Sequence, residues 1–176
     1  PHRTAYGSLC RLITHGRRQA KKGECHLTLE DISKHSCSLL AGIIPDWNGP
    51  LAGPAEDNSP PPCSAPLTSP KMLSAYREIF ADRCYLLAEL HRGANDPGRI
   101  HDLSNLSDRS QLPLVAAGNV HYHAADRLAL HDILTAIARG TTVSQIGTRR
   151  FPNAQRHLRT LDQIHATYFS LPGSLQ

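Results

Sequence analysis

The chain has 176 residues, a formal charge of +4, and 40% apolar against 19% charged residues. That is enough for one domain with a real core and is the composition of a globular protein. Its longest apolar runs fall far short of the roughly 20 residues that cross a bilayer, so no membrane span is expected.

The sequence begins Pro1-His2-Arg3-Thr4, with no initiator Met and no basic start followed by an apolar secretory core. An internal piece of a longer chain is the expectation. The cysteines Cys10, Cys25, Cys37, Cys63 and Cys84 are odd in number and widely spaced, without a Cys-x-x-Cys pair. A reducing cytoplasm is their natural setting.

In chain order, Tyr6, Leu9, Cys10 and Ile13 recur at the spacing of an amphipathic helix between Thr4 and Gln19, with basic residues at its end. Gly23 breaks the chain. Thr28 then caps a short helix through Lys34, with Glu30 and Asp31 in its first turn. The apolar run from Ser38 to Ile44 reads as a buried strand ended by Pro45. From Asp46 to Ser69 the sequence is crowded with Pro and Gly and lacks periodicity, so a flexible insertion is expected there.

Ser69-Pro70 supplies an N-cap and a first-turn proline to a helix whose stripe is Met72, Leu73, Tyr76, Ile79 and Phe80. Cys84 to Leu90 is a second strand. Pro97 opens a helix with Ile100, Leu103 and Leu106 on one face, and Leu114 to Ala117 is a third strand after the Pro113 break. Leu128, Leu130, Ile133, Leu134 and Ile137 mark a last helix closed by Gly140. Strands alternating with helices predict an α/β fold in which the three strands are parallel neighbours.

Two polar clusters each follow an apolar strand: Glu89-Leu90-His91 and Asn119-Val120-His121-Tyr122-His123. In a βα barrel that end carries the active site. Alternate residues of an extended segment share a side, so Asn119, His121 and His123 can converge there. Neutral imidazoles at such spacing suit zinc, iron or manganese. The plainer reading stands beside it: eleven histidines produce close pairs by chance, and Glu89 has Arg92 nearby to pair with. His101, His131 and His165 fall in helical stretches and read as surface or boundary residues. Arg17, Arg18, Lys21 and Lys22, and later Arg149 and Arg150 with Arg156 and Arg159, are candidate DNA contacts, although basic runs are more often solvated faces.

Several phrases resemble the PHP (polymerase and histidinol phosphatase) domain of bacterial C-family DNA polymerases, over nearly the whole chain. They are Tyr6 to Ile13, Gly23 to Asp31, Phe80 to Leu86, Pro113 to Tyr122, Leu130 to Ile137 and Phe151 to Leu158. Glu89 to Gly93 and Pro152 to Ala154 look closer to the error-prone branch. The resemblance implies part of a distorted (β/α) barrel of parallel strands flanked by helices, with a zinc or manganese site at the strand C-termini. Its matching positions are His91, Asn119, His121 and, by spacing, His123. Asn119 stands where the family motif has Asp, and the early His-x-His motif is absent, so an incomplete site is expected.

The resemblance also places polymerase chemistry, with magnesium, in a palm domain outside these residues. The whole protein would act on DNA and deoxynucleoside triphosphates, alongside other replication or translesion subunits. Two other readings stay open: a stand-alone PHP-type metal-dependent phosphoesterase, and a non-enzymatic DNA-contacting or subunit-interaction module.

Overall fold

The computed structural model describes residues 2–45, 69–147 and 150–171. The Pro/Gly-rich insertion expected over 46–69 lies outside the described residues except for Ser69. Two compact units divide the chain, one of residues 1–43 and 65–85, the other of 44–64 and 86–176.

In the first unit, α1 (Arg3–Arg18) and α2 (Leu29–His35) come first. Thr28 caps α2: its hydroxyl accepts from Asp31 N while the Asp31 carboxylate accepts from Thr28 N, a reciprocal box that satisfies two free backbone donors. The face that α1 buries differs from the expected stripe. Ala5, Leu12 and Gly16 are buried, whereas Tyr6, Leu9 and Ile13 are exposed. The physical reason is close approach: His26 N donates to Gly16 O at 3.0 Å, and at that position only the absence of a side chain leaves room for Cys25 and Leu27 of the returning chain.

The first strand, β1 (Ala41–Ile43), is shorter than the expected Ser38 to Ile44. Ser38 has φ 60°, a left-handed conformation that interrupts extended backbone. Arg83 secures this turn, with Nη1 donating to Ser36 O at 2.9 Å and to Leu39 O at 2.7 Å. Ser69 caps α3 (Pro70–Phe80), accepting from Met72 N, with Pro at the first turn. Leu73 and Phe80 are its buried residues.

The strand β2 (Cys84–Glu89) buries every second residue, and Leu86 and Ala88 are wholly enclosed. After it come α4 (Asp96–Ser110), β3 (Leu114–Ala117), α5 (Leu128–Ala138) and α6 (Leu161–Tyr168). The three strands form one sheet in the order β1-β2-β3. β2 and β3 run parallel with Leu86 opposite Leu114 and Glu89 opposite Ala117, as the crossover through α4 requires. Leu103 anchors α4 in the core.

The α5 stripe is the second departure. Leu130, Ile133, Leu134 and Ile137 are exposed, while Asp132 and Ala136 are buried. The buried Asp132 carboxylate accepts from Nε of the exposed Arg150 at 2.8 Å. No helix among the described residues is long and apolar enough to cross a membrane.

Candidate functional site

The C-terminal ends of β2 and β3 place Glu89 opposite Ala117, so the residues just beyond each strand meet. His91 is 7% exposed and donates from Nε2 to Gly118 O at 3.2 Å. Its own carbonyl accepts from Asn153 Nδ2 at 2.7 Å. Burial holds its imidazole below the ordinary value, and the Arg156 charge lowers it further against the opposing bond to Gly118.

Asn119 does not continue the strand. Its φ is 41°, a left-handed conformation to which Asn is better suited than most residues. That turn brings its side chain between two others: Nδ2 donates to Glu89 Oε2 at 2.9 Å, and Oδ1 lies 3.2 Å from His121 Nε2. Because the amide nitrogen faces the carboxylate, the His121 nitrogen is the donor in the second bond. The backbone of His121 is fixed separately, through its N–H to Arg156 O at 2.9 Å.

Convergence therefore arises from a tight turn, not from alternation along a strand. It gathers Glu89, His91, Asn119 and His121, whereas His123 is exposed and makes no hydrogen bond or ring contact with them. Glu89 is met by Asn119 and not by Arg92, which is itself in a left-handed conformation at φ 52°.

Three further residues complete the cluster. The ring of His131 lies edge-on to His121, with centroids 5.3 Å apart, and stacks on Phe151 at 4.6 Å. Arg156 sits over the other partner of that stack, 4.4 Å from the Phe151 centroid. His131 is thus more than a helix-surface residue. The signal that could have found it was the Phe151 to His157 phrase, whose asparagine and arginine reach back to the strand ends. His121 is pushed below its ordinary value by burial, then by Arg156 and His131.

Both imidazoles are consequently neutral at pH 7, and the sign of the pH response follows. A base with a lowered folded-state value loses folding stability as pH falls through its unfolded value of about 6.5. The urea midpoint is expected to drop between pH 7.5 and pH 5. His91→Gln keeps a donor for Gly118 O but cannot ionise, so the drop should shrink; an unchanged drop would remove His91 from the account.

The cluster is a poor fit to a divalent metal. Among the described residues no group of three His, Cys, Asp or Glu side chains is placed to hold one. Asn119 aims a donor at Glu89 where a cation would need an acceptor, and the Arg156 charge acts on both His91 and His121.

The basic candidates separate. Arg17 and Arg18 end α1 and are exposed, as are Lys21 and Lys22. Arg18 also lines an open groove with Arg11, His15 and His35. Arg150 is committed to the buried Asp132, and Arg149 lies outside the described residues.

Comparison with known proteins gives consistent relatives. The chain is 39% identical over 175 residues to an error-prone DNA polymerase of Rhodopirellula baltica, covering 98% of this chain and 15% of that protein. It is 43% identical over 165 residues to one from Pseudomonas syringae pv. tomato, covering 94% and 14%. It is 40% identical over 163 residues to one from Pseudomonas aeruginosa, covering 93% and 14%. The chain thus spans about 15% of the length of the curated relatives it matches. No protein-family model matches it.

Proposed function

We propose that this chain is the later part of the PHP domain of an error-prone, C-family DNA polymerase, and that its role there is that of a scaffold. What supports the reading is the similarity, over nearly the whole chain, to proteins named error-prone DNA polymerase. The parallel β2–β3 pair with polar residues at its C-terminal ends accords with a portion of a PHP-type barrel.

On this reading the parent protein copies DNA from deoxynucleoside triphosphates, with magnesium held in a palm domain, in the cytoplasm and beside other translesion subunits. Reading the coding sequence on both sides and assaying the full-length product for primer extension over a lesion tests it. An acidic palm motif with extension activity is the expected result; a full-length protein without either would overturn it.

The zinc or manganese site that the resemblance puts at His91, Asn119, His121 and His123 is degenerate on this proposal, and Asn119 is the reason. An Asp there would oppose Glu89 as a second carboxylate, and a cation would relieve their repulsion. The chain is expected to retain much less than one manganese or zinc ion after dialysis. Asn119→Asp should bind manganese at least tenfold more tightly, and His121→Ala in that background should reverse the gain. Stoichiometric metal in the unaltered chain, lost on His121→Ala, would show the site to be intact.

A role as a subunit-interaction module has its own support in α5, whose four exposed apolar side chains lie at the spacing of one helix face.

A further inference from the structure

The start of the chain is cationic without interruption. No Asp or Glu occurs before Glu24, whereas Arg3, Arg11, Arg17, Arg18, Lys21 and Lys22 all do. Each of these cations is exposed, and among the described residues none of them makes an ion pair. The carboxylates of the neighbouring α2 are already engaged, Glu30 by Lys34 at 2.7 Å and Asp31 by Thr28 and His15.

Helix stability accounts for only part of this charge. Arg17 and Arg18 sit in the last turn of α1, where they meet the negative end of the helix dipole. Arg3 stands in the first turn, at the end that disfavours a cation, while Arg11 is mid-helix and Lys21 and Lys22 follow the helix.

The charge also borders a concave surface. Arg11, His15 and Arg18 of α1 and His35 of α2 line an open groove of about 600 Å³. Arg11 and Arg18 are seven residues apart, which puts them on one helix face about 10 Å apart along the axis. The lining holds no carboxylate and no aliphatic, Phe, Tyr or Trp side chain, and the exposed Tyr6, Leu9 and Ile13 of α1 are not part of it. That composition selects the ligand. A docked peptide is anchored by apolar side chains in pockets, whereas a nucleic-acid backbone is held by charge alone.

We propose that the α1 groove, with Lys21 and Lys22 beyond it, is a nucleic-acid contact that holds a strand by its phosphates and does not read its bases. Guanidinium groups match phosphate oxygens geometrically, and lysines add point charge. The choice of a nucleic acid over another polyanion also rests on the polymerase reading. The contact uses no residue of the strand-end cluster and needs no metal.

The test is fluorescence anisotropy of a labelled, mixed-sequence single-stranded oligonucleotide titrated with the 176-residue chain at several salt concentrations, with EDTA present. Binding that weakens with salt is expected. Arg11→Gln with Arg18→Gln should weaken it about tenfold and lower the salt slope by about 1.4, from roughly 0.7 per phosphate contact on a single strand. A charge-matched pair of exposed second-unit arginines, Arg109→Gln with Arg127→Gln, should leave both quantities near those of the unaltered chain. Gln is a good helix former, so the thermal midpoint should hold; should the α1 pair fail to fold, Lys21→Gln with Lys22→Gln carries the same comparison. No binding, or equal losses in the α1 and second-unit pairs, would overturn the contact. Polyglutamate that competes as well as the oligonucleotide would also overturn it, assigning the groove to an acidic peptide. Primer extension by the full-length protein decides the polymerase reading separately, so a chain that binds no strand while its parent extends primers sinks this inference alone.

Discussion

Replacing Tyr168 with Ala is expected to lower the unfolding free energy by about 3–5 kcal/mol, the range for losing a buried aromatic. The residue is 1% exposed in α6, and its hydroxyl joins the two strands that carry the cluster. It accepts from Leu90 N at 3.2 Å and donates to Ala117 O at 2.8 Å. Tyr168→Phe keeps the ring but leaves both backbone groups unpaired, for an expected cost of about 1–3 kcal/mol. Urea denaturation measures both. If Tyr168→Phe matches the unaltered chain, the hydroxyl bridge contributes nothing and α6 is held by its ring alone. The same bridge fixes Leu90 and Ala117 just before His91 and Gly118, so Tyr168→Phe should also broaden the amide resonances of those two residues.

The second large effect is expected in the first unit. A Cβ on Gly16 would stand 2.7 Å from Cys25 Sγ and 2.7 Å from Leu27 Cδ2, closer than real atoms tolerate. Ala is the better helix former by about 1 kcal/mol, yet overpacking costs roughly 1–3 kcal/mol. The overlap involves two side chains and the Gly16 carbonyl is tied to His26 N, so steric cost should win. Gly16→Ala is therefore expected to be destabilising, and Leu27→Ala in the same chain should return part of the loss. A more stable Gly16→Ala would show that the segment after α1 gives way and that the close approach is slack.

Much of the local structure was legible in the sequence. Thr28 with Asp31, and Ser69 with Pro70, announce helix starts because capping is a local exchange of hydrogen bonds between residues three apart. The strand at Cys84 and the parallel partner at Leu114 were readable from apolar runs separated by a helix-length connection. The outward faces of α1 and α5 were not. Periodicity tells that a helix has an apolar stripe, but which face is covered depends on what approaches it, and on α1 the close approach of the chain at Gly16 decides.

The cluster divides the same way. Sequence by itself placed Glu89, His91, Asn119 and His121 at strand ends, and the resemblance to the PHP domain marked Asn119 as the departure from an acidic motif. Only the tertiary structure decided that a left-handed Asn119 bridges Glu89 and His121, that His123 stands apart, and that His131, Phe151, Arg156 and Arg159 close around the strand ends. These partners are separated from Glu89 by some 40 to 70 positions. Nothing in a linear pattern encodes which distant guanidinium will be buried beside which imidazole, because that is fixed by the packing of α6 and the 151–158 segment against the ends of β2 and β3, where backbone carbonyls and a tyrosine hydroxyl satisfy one another.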